Sequence, residues 1–216
     1  MKFWTKLLCT FFILLVVNNL QAQSRFGGGI VAGLNASQMD GDQAAGFSKV
    51  GGSVGLCATI QTSETGNWLL TTDILLSQRG SRSSPNDAGP IRSASLNYLE
   101  VPVTMSYRDW KVTDKSGQEF YKVYFTAGMS YGRLFSYKLT ENFTHPKAVS
   151  DVFQKNDMAL TGGLSYFVNH HWGFNWRYTR SVNYLFNPKK YENNVALTSY
   201  AALQVYFLTF QTVWMF

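Results

Sequence analysis

Five charged residues stand where their type and setting could do chemistry: Asp73, Arg79, Glu100, Lys122 and Arg177. Each falls on the polar side of a stretch that alternates in polarity, so each shares a face with Gly, Ser, Thr or other polar residues. A carboxylate enclosed among other strands must be paired, because an isolated buried charge is costly. The pattern therefore predicts a structural cluster of ion pairs in a protein interior. The sharper chemistry open to the same residues is a proton or ion path, which a narrow interior disfavours.

Other chemistries find less support. Acyl transfer would need a Ser and a His held together; His145 sits in a long connection with no Ser fixed near it by any motif. His170 and His171 are adjacent on a short turn and could offer a metal two ligands at most, short of a closed site. They read as solvated turn residues. The glycine runs Gly27-Gly28-Gly29 and Gly51-Gly52-Ser53-Val54-Gly55 do not open a helix after a strand, as a phosphate-binding loop would. They suit a crowded interior or bulges. No enzymatic activity, metal or cofactor is expected.

The elements that must position the charges are strands. Eight segments alternate with period two, at about 26–38, 47–62, 67–79, 95–108, 119–137, 156–168, 171–183 and 198–216. In the seventh, Trp172, Phe174, Trp176 and Tyr178 alternate with Gly173, Asn175, Arg177 and Thr179. The last segment is apolar on both faces around Val205-Tyr206-Phe207-Leu208. Pro102 cannot donate a ladder hydrogen bond and predicts a bulge or break in the fourth. Connections alternate in length. Met39 to Gly46, Gly80 to Ala94, Lys138 to Lys155 and Tyr184 to Leu197 are long, and Pro85, Pro90, Pro146 and Pro188 interrupt them; Ser63 to Gly66, Asp109 to Gln118 and Asn169-His170 are shorter. Outer-membrane barrels show this asymmetry, with an even strand count and long loops outside. The fold class expected is all-β: an eight-stranded antiparallel up-and-down transmembrane β-barrel, the smallest class, with its interior filled by side chains.

Composition agrees. Aromatic residues are 16% and charged residues 15% of the 216, where soluble domains carry roughly 25% charged. Residues 1–22 read as a secretory signal peptide, with Lys2 and Lys6 ahead of an 11-residue apolar run from Leu7 to Val17 that is too short to span a bilayer. The domain expected after it is 23–216. Removing Lys2 and Lys6 from the 19 Lys+Arg leaves 17 against 13 Asp+Glu, a net charge of about +4 with no cluster of the kind nucleic acid needs. Cys57 is then the lone cysteine, so no internal disulfide can form.

Period two does not say which face looks inward, so a lipocalin-like soluble carrier with an apolar pocket competes. The Gly, Ser and Thr of the polar face favour a narrow polar interior, and Trp68, Tyr121, Tyr131, Trp172 and Tyr178 lie near strand ends, where an aromatic girdle belongs.

Three segments carry a resemblance: Gly29-Ile30-Val31-Ala32-Gly33-Leu34-Asn35-Ala36-Ser37; Asp73-Ile74-Leu75-Leu76-Ser77-Gln78-Arg79-Gly80; and Leu96-Asn97-Tyr98-Leu99-Glu100-Val101-Pro102. With Asp157 before the sixth strand and the Arg177-Tyr178 pair, they make the chain similar to the PorT-like outer-membrane β-barrel family. Asp73 stands where that family more often has Glu. The resemblance implies an eight-stranded outer-membrane barrel; the family's founding member is associated with a secretion system that exports proteins across that membrane. The closing Val213-Trp214-Met215-Phe216 looks like the signal read by the barrel assembly machinery, an expected partner during biogenesis. Fold does not carry function.

The expectation is therefore an integral protein of the cell outer membrane with a structural or interaction role. Its surroundings are membrane lipid and lipopolysaccharide, and its outer loops are places for a protein or glycan partner. Gly80 to Ala94 and Lys138 to Lys155 are the longest loops; Tyr184, Phe186, Lys189, Lys190 and Tyr191 add a basic-aromatic cluster that reads first as interfacial anchoring.

Overall fold

A computed structural model describes residues 25–44, 46–83, 91–114, 117–140, 143 and 147–216. The proposed signal peptide, His145, Pro85, Pro90 and Pro146 lie outside the described residues, as do parts of the two longest loops.

Eight antiparallel strands close on themselves in sequence order: β1 (Phe26–Asp40), β2 (Lys49–Gln61), β3 (Trp68–Arg82), β4 (Ser93–Thr113), β5 (Glu119–Leu139), β6 (Asn156–Phe167), β7 (Trp172–Ser181) and β8 (Gln204–Met215). The ring is sealed by β1 against β8, in register from Gly29↔Met215 to Asp40↔Gln204. Closure leaves no sheet edge for lipid to meet, the condition a β structure must satisfy to cross a membrane. Even β7, with 10 residues, has the length of a tilted transmembrane strand.

The alternation resolves with its apolar side outward. Leu34, Leu56, Ile74 and Phe135 are each more than half exposed, while Asn35, Ser53, Ser77, Thr104, Ser130 and Thr209 are buried inside. An apolar exterior around a polar interior rules out the lipocalin-like carrier, whose faces would be reversed. Trp68 packs edge-on against Tyr107 and Trp172 against Trp214 near the end where β1 starts and β8 finishes. Tyr131 and Tyr178 face outward toward the other end. Tyr121 departs from the expected girdle and turns toward the barrel mouth.

Pro102 interrupts the β3–β4 ladder between Thr72↔Val103 and Leu75↔Glu100 without changing its register. The bulge lies elsewhere, in the β4–β5 ladder at Asn97/Tyr98. β4 and β5 are each 21 residues long and run past the last paired residues of their other neighbours, Trp68 and Tyr166. This hairpin projects beyond the barrel at the end of the short turns. At the opposite end are helix α1 (Lys147–Ser150), a 3-10 turn (Pro188–Tyr191) and helix α2 (Val195–Thr198).

Candidate functional site

The barrel interior has three levels. At the outer end, strand residues Met39, Leu96, Tyr98, Leu134, Val205 and Phe207 form one buried apolar cluster with loop residues Phe143, Val149, Phe153, Leu185, Phe186 and Leu197. The loops fold inward and plug the barrel. Strand eight is apolar on both faces for this reason: one face meets lipid and the other meets the plug. Phe186 is fully buried and stacks on Tyr191, whose hydroxyl donates to the Val152 carbonyl. Phe186 and Tyr191 of the expected anchoring cluster are thus internal packing, leaving Tyr184, Lys189 and Lys190 exposed.

Below the plug lie the charges. Arg79 is 1% exposed and its Nη2 is 2.7 Å from Asp157 Oδ2, which also accepts from Ser181 Oγ at 3.0 Å. Its guanidinium lies 3.8 Å from the Tyr98 ring centre and 4.8 Å from that of Phe207. A second pair joins Arg177 Nη1 to Asp73 Oδ2 at 2.7 Å. Glu100 is buried, accepts from Ser130 Oγ at 2.8 Å and is an electrostatic neighbour of Arg79. Lys122 is apart from the other four: half-buried on the projecting hairpin, with Nζ 5.0 Å from the Trp110 ring centre. Asp157 is the member missing from the five charges read off the sequence, although the sixth alternating segment, 156–168, contains it. It lies inside β6 and shares the inward parity of Thr161 and Ser165, the signal that would have found it.

Polar rungs fill the rest of this level. Asn35 donates to Ser77 Oγ and accepts from Thr209 Oγ1, and Gln211 donates to Ser53 Oγ. Ser37 Oγ accepts from the Gly80 N–H at 2.9 Å, tying the first resembling segment to the second; Gly80 takes φ +149°, a value that favours glycine. A void of about 10 Å³ lies among these side chains, room for about one water. Together with the plug, this packing fills the middle and outer levels of the barrel among the described residues.

The third level is open. A cavity of about 560 Å³ begins at the Asp73–Arg177 pair and opens at the end where β1 starts and β8 finishes. The projecting hairpin bends over it at Trp110, a non-glycine residue with φ 57°. Tyr121 Oη donates to the Thr65 carbonyl at 3.2 Å, and Arg108 Nε donates to the Gly66 carbonyl at 2.7 Å. His170 lies 3.8 Å from Asp114. His171 stacks on Trp214 at 5.1 Å. Both histidines are half-buried and packed, in contrast to the solvated turn expected.

Residues 21–187 match the family described as outer membrane protein beta-barrel domain. The chain belongs to that family. Solved structures similar to this outer-membrane barrel include Ail, the attachment invasion locus protein of Yersinia pestis. In complex with the heparin analogue sucrose octasulfate, Ail is 11% identical over 89% of this chain and 99% of its own, with a TM-score of 0.44. Ail alone is 12% identical over the same shares, with a TM-score of 0.45. The outer membrane protein OprG from Pseudomonas aeruginosa is 14% identical over 88% of this chain and 94% of its own, with a TM-score of 0.39. The comparison with curated proteins found no relative. With the family placing the barrel in the outer membrane, the long-loop end is the outer face, and the cavity, at the end where β1 starts and β8 finishes, faces the periplasm.

Proposed function

We propose that this outer-membrane barrel is a non-enzymatic interaction protein whose outer loops form a rigid platform for an anionic glycan, the chemistry shared by lipopolysaccharide core sugars and acidic polysaccharides. The supporting observation is the outer rim. Arg133, Lys138 and Arg180 at strand ends and Lys155, Lys189 and Lys190 on the loops are exposed there, Arg180 within 3.8 Å of Asp40, while the loops are pinned into the apolar plug. Cations on a preorganised support bind anions with less ordering cost than cations on free loops.

Export by a leader cleaved near Ala22 belongs to the same reading, as does membership of the PorT-like branch, which rests on the three segments around Asn35, Arg79 and Glu100. A part in protein secretion would be a role of this same barrel; its deletion would leave cargo trapped inside the cell.

The test is retention of the folded protein, in lipid nanodiscs, on immobilised lipopolysaccharide and on a sulfated polysaccharide. Binding should weaken at least tenfold in the Lys189→Glu/Lys190→Glu variant and fall with salt. Equal binding by that variant, or equal binding to a neutral polysaccharide, would refute the platform.

A further inference from the structure

The periplasmic cavity plays no part in an outer-loop function, yet it has the features of a built site. Its volume of about 560 Å³ lies within the roughly 300–1,000 Å³ typical of ligand pockets. Its inner end is the Asp73–Arg177 pair with the packed level above it, and its mouth faces the periplasm.

Its floor is a buried ion pair. Asp73 is 1% exposed and Arg177 9%, and both line the cavity. They use one atom each on their mutual bond, while Asp73 Oδ1 and Arg177 Nε are closed off from the cavity. A carboxylate entering the cavity would be repelled by Asp73 and an ammonium by Arg177; an uncharged ligand meets neither penalty.

The walls and mouth favour the same chemistry. Tyr124 and Phe167 stack at 4.6 Å and, with Val31, Phe120 and Met215, give an apolar surface for one side chain. Beside the mouth, residues 109–113 of β4 and 119–122 of β5 pair with each other and with no third strand. Such edges can accept a further extended backbone. The bend at Trp110 brings Lys111, Glu119, Phe120 and Tyr121 over the opening.

From these features we propose that the cavity binds a short uncharged peptide segment, inserted from the periplasm, with an apolar side chain against Tyr124 and Phe167 and its backbone along the free edge of the β4–β5 hairpin. The occupant that competes is an apolar chain without an amide, such as a fatty acid.

The experiment uses the folded protein in lipid nanodiscs, where both faces are reachable, titrated calorimetrically with the capped tripeptide acetyl-Ala-Phe-Ala-amide and, separately, with laurate. The expected result is saturable one-to-one binding of the tripeptide. It should weaken at least tenfold in Thr71→Trp, which fills the cavity, and several-fold in Tyr124→Ala. Heat-modifiability of each variant establishes that it is folded. Cys57 lines the cavity and is the free cysteine of the described residues, so bound tripeptide should also slow its reaction with methyl methanethiosulfonate. The proposal is overturned if the tripeptide does not saturate, if Thr71→Trp binds it unchanged, if Cys57 is not protected, or if laurate binds and the tripeptide does not. Lys189→Glu/Lys190→Glu should leave this binding unaltered, which separates the site from the outer platform.

Discussion

Replacing Arg79 with Met removes the cation from the Arg79–Asp157 pair and leaves an apolar chain of similar length against Tyr98 and Phe207. Asp157 then keeps the Ser181 hydroxyl alone, with Glu100 buried in the same neighbourhood. Breaking a buried pair from one side costs about 3–5 kcal/mol, because a buried charge is left uncompensated. At about 1.4 kcal/mol per decade, that is a loss of between a hundred- and a few thousandfold in the folding equilibrium. Removing the carboxylate as well, in Arg79→Met/Asp157→Leu, should restore much of this loss, because an apolar replacement of a buried pair is often near neutral. The assay is urea unfolding from lipid vesicles, followed by tryptophan fluorescence and by the fraction of unboiled protein that keeps its shifted electrophoretic band. An Arg79→Met cost below about 1 kcal/mol, or additive behaviour in the double variant, would refute the argument that the pair is desolvated and coupled.

Gly132→Ala should cost about 1–3 kcal/mol in the same assay, because a Cβ there would stand 2.9 Å from Arg79 Nη2 and 3.1 Å from the Tyr98 ring; the cost should shrink in the Arg79→Met background. Phe186→Ala should loosen the plug, seen as faster trypsin cleavage near Lys189 and Lys190 from outside, while the barrel stays heat-modifiable. Trp176→Arg puts a charge on the lipid-facing wall and should cost about 2–4 kcal/mol of folding into bilayers if it lies near the midplane, where a soluble barrel would tolerate it.

The strands and their order were legible because period-two alternation is long and strong, as in β7, where Trp172 to Tyr178 alternate without exception. Which face points inward was legible from chemistry, since Gly, Ser and Thr pack a narrow interior and Leu34 or Leu56 do not. Boundaries failed where tertiary packing overrides the pattern. β8 begins at Gln204, later than expected, because Leu197 and Leu203 are drawn into the plug. β4 continues to Thr113 because the hairpin projects past the barrel. Phe186 and Tyr191 looked interfacial because nothing in a loop sequence tells a residue folded inward from one facing the membrane. Of the inward charges, pairing depends on register: Asp73 meets Arg177 and Arg79 meets Asp157 across sequence gaps that no local pattern records. The periplasmic cavity was not legible at all, since it depends on the backbone bend at Trp110 and on how far the plug fills the other end.

The measurement that tests the central claim most directly is electrophoresis of the protein from fractionated membranes, unboiled against boiled. The account predicts that it is in the outer-membrane fraction and that the unboiled band runs at a different apparent mass, as a closed hydrogen-bonded barrel resists the detergent. A protein recovered in the soluble periplasm, with identical bands before and after boiling, would contradict it.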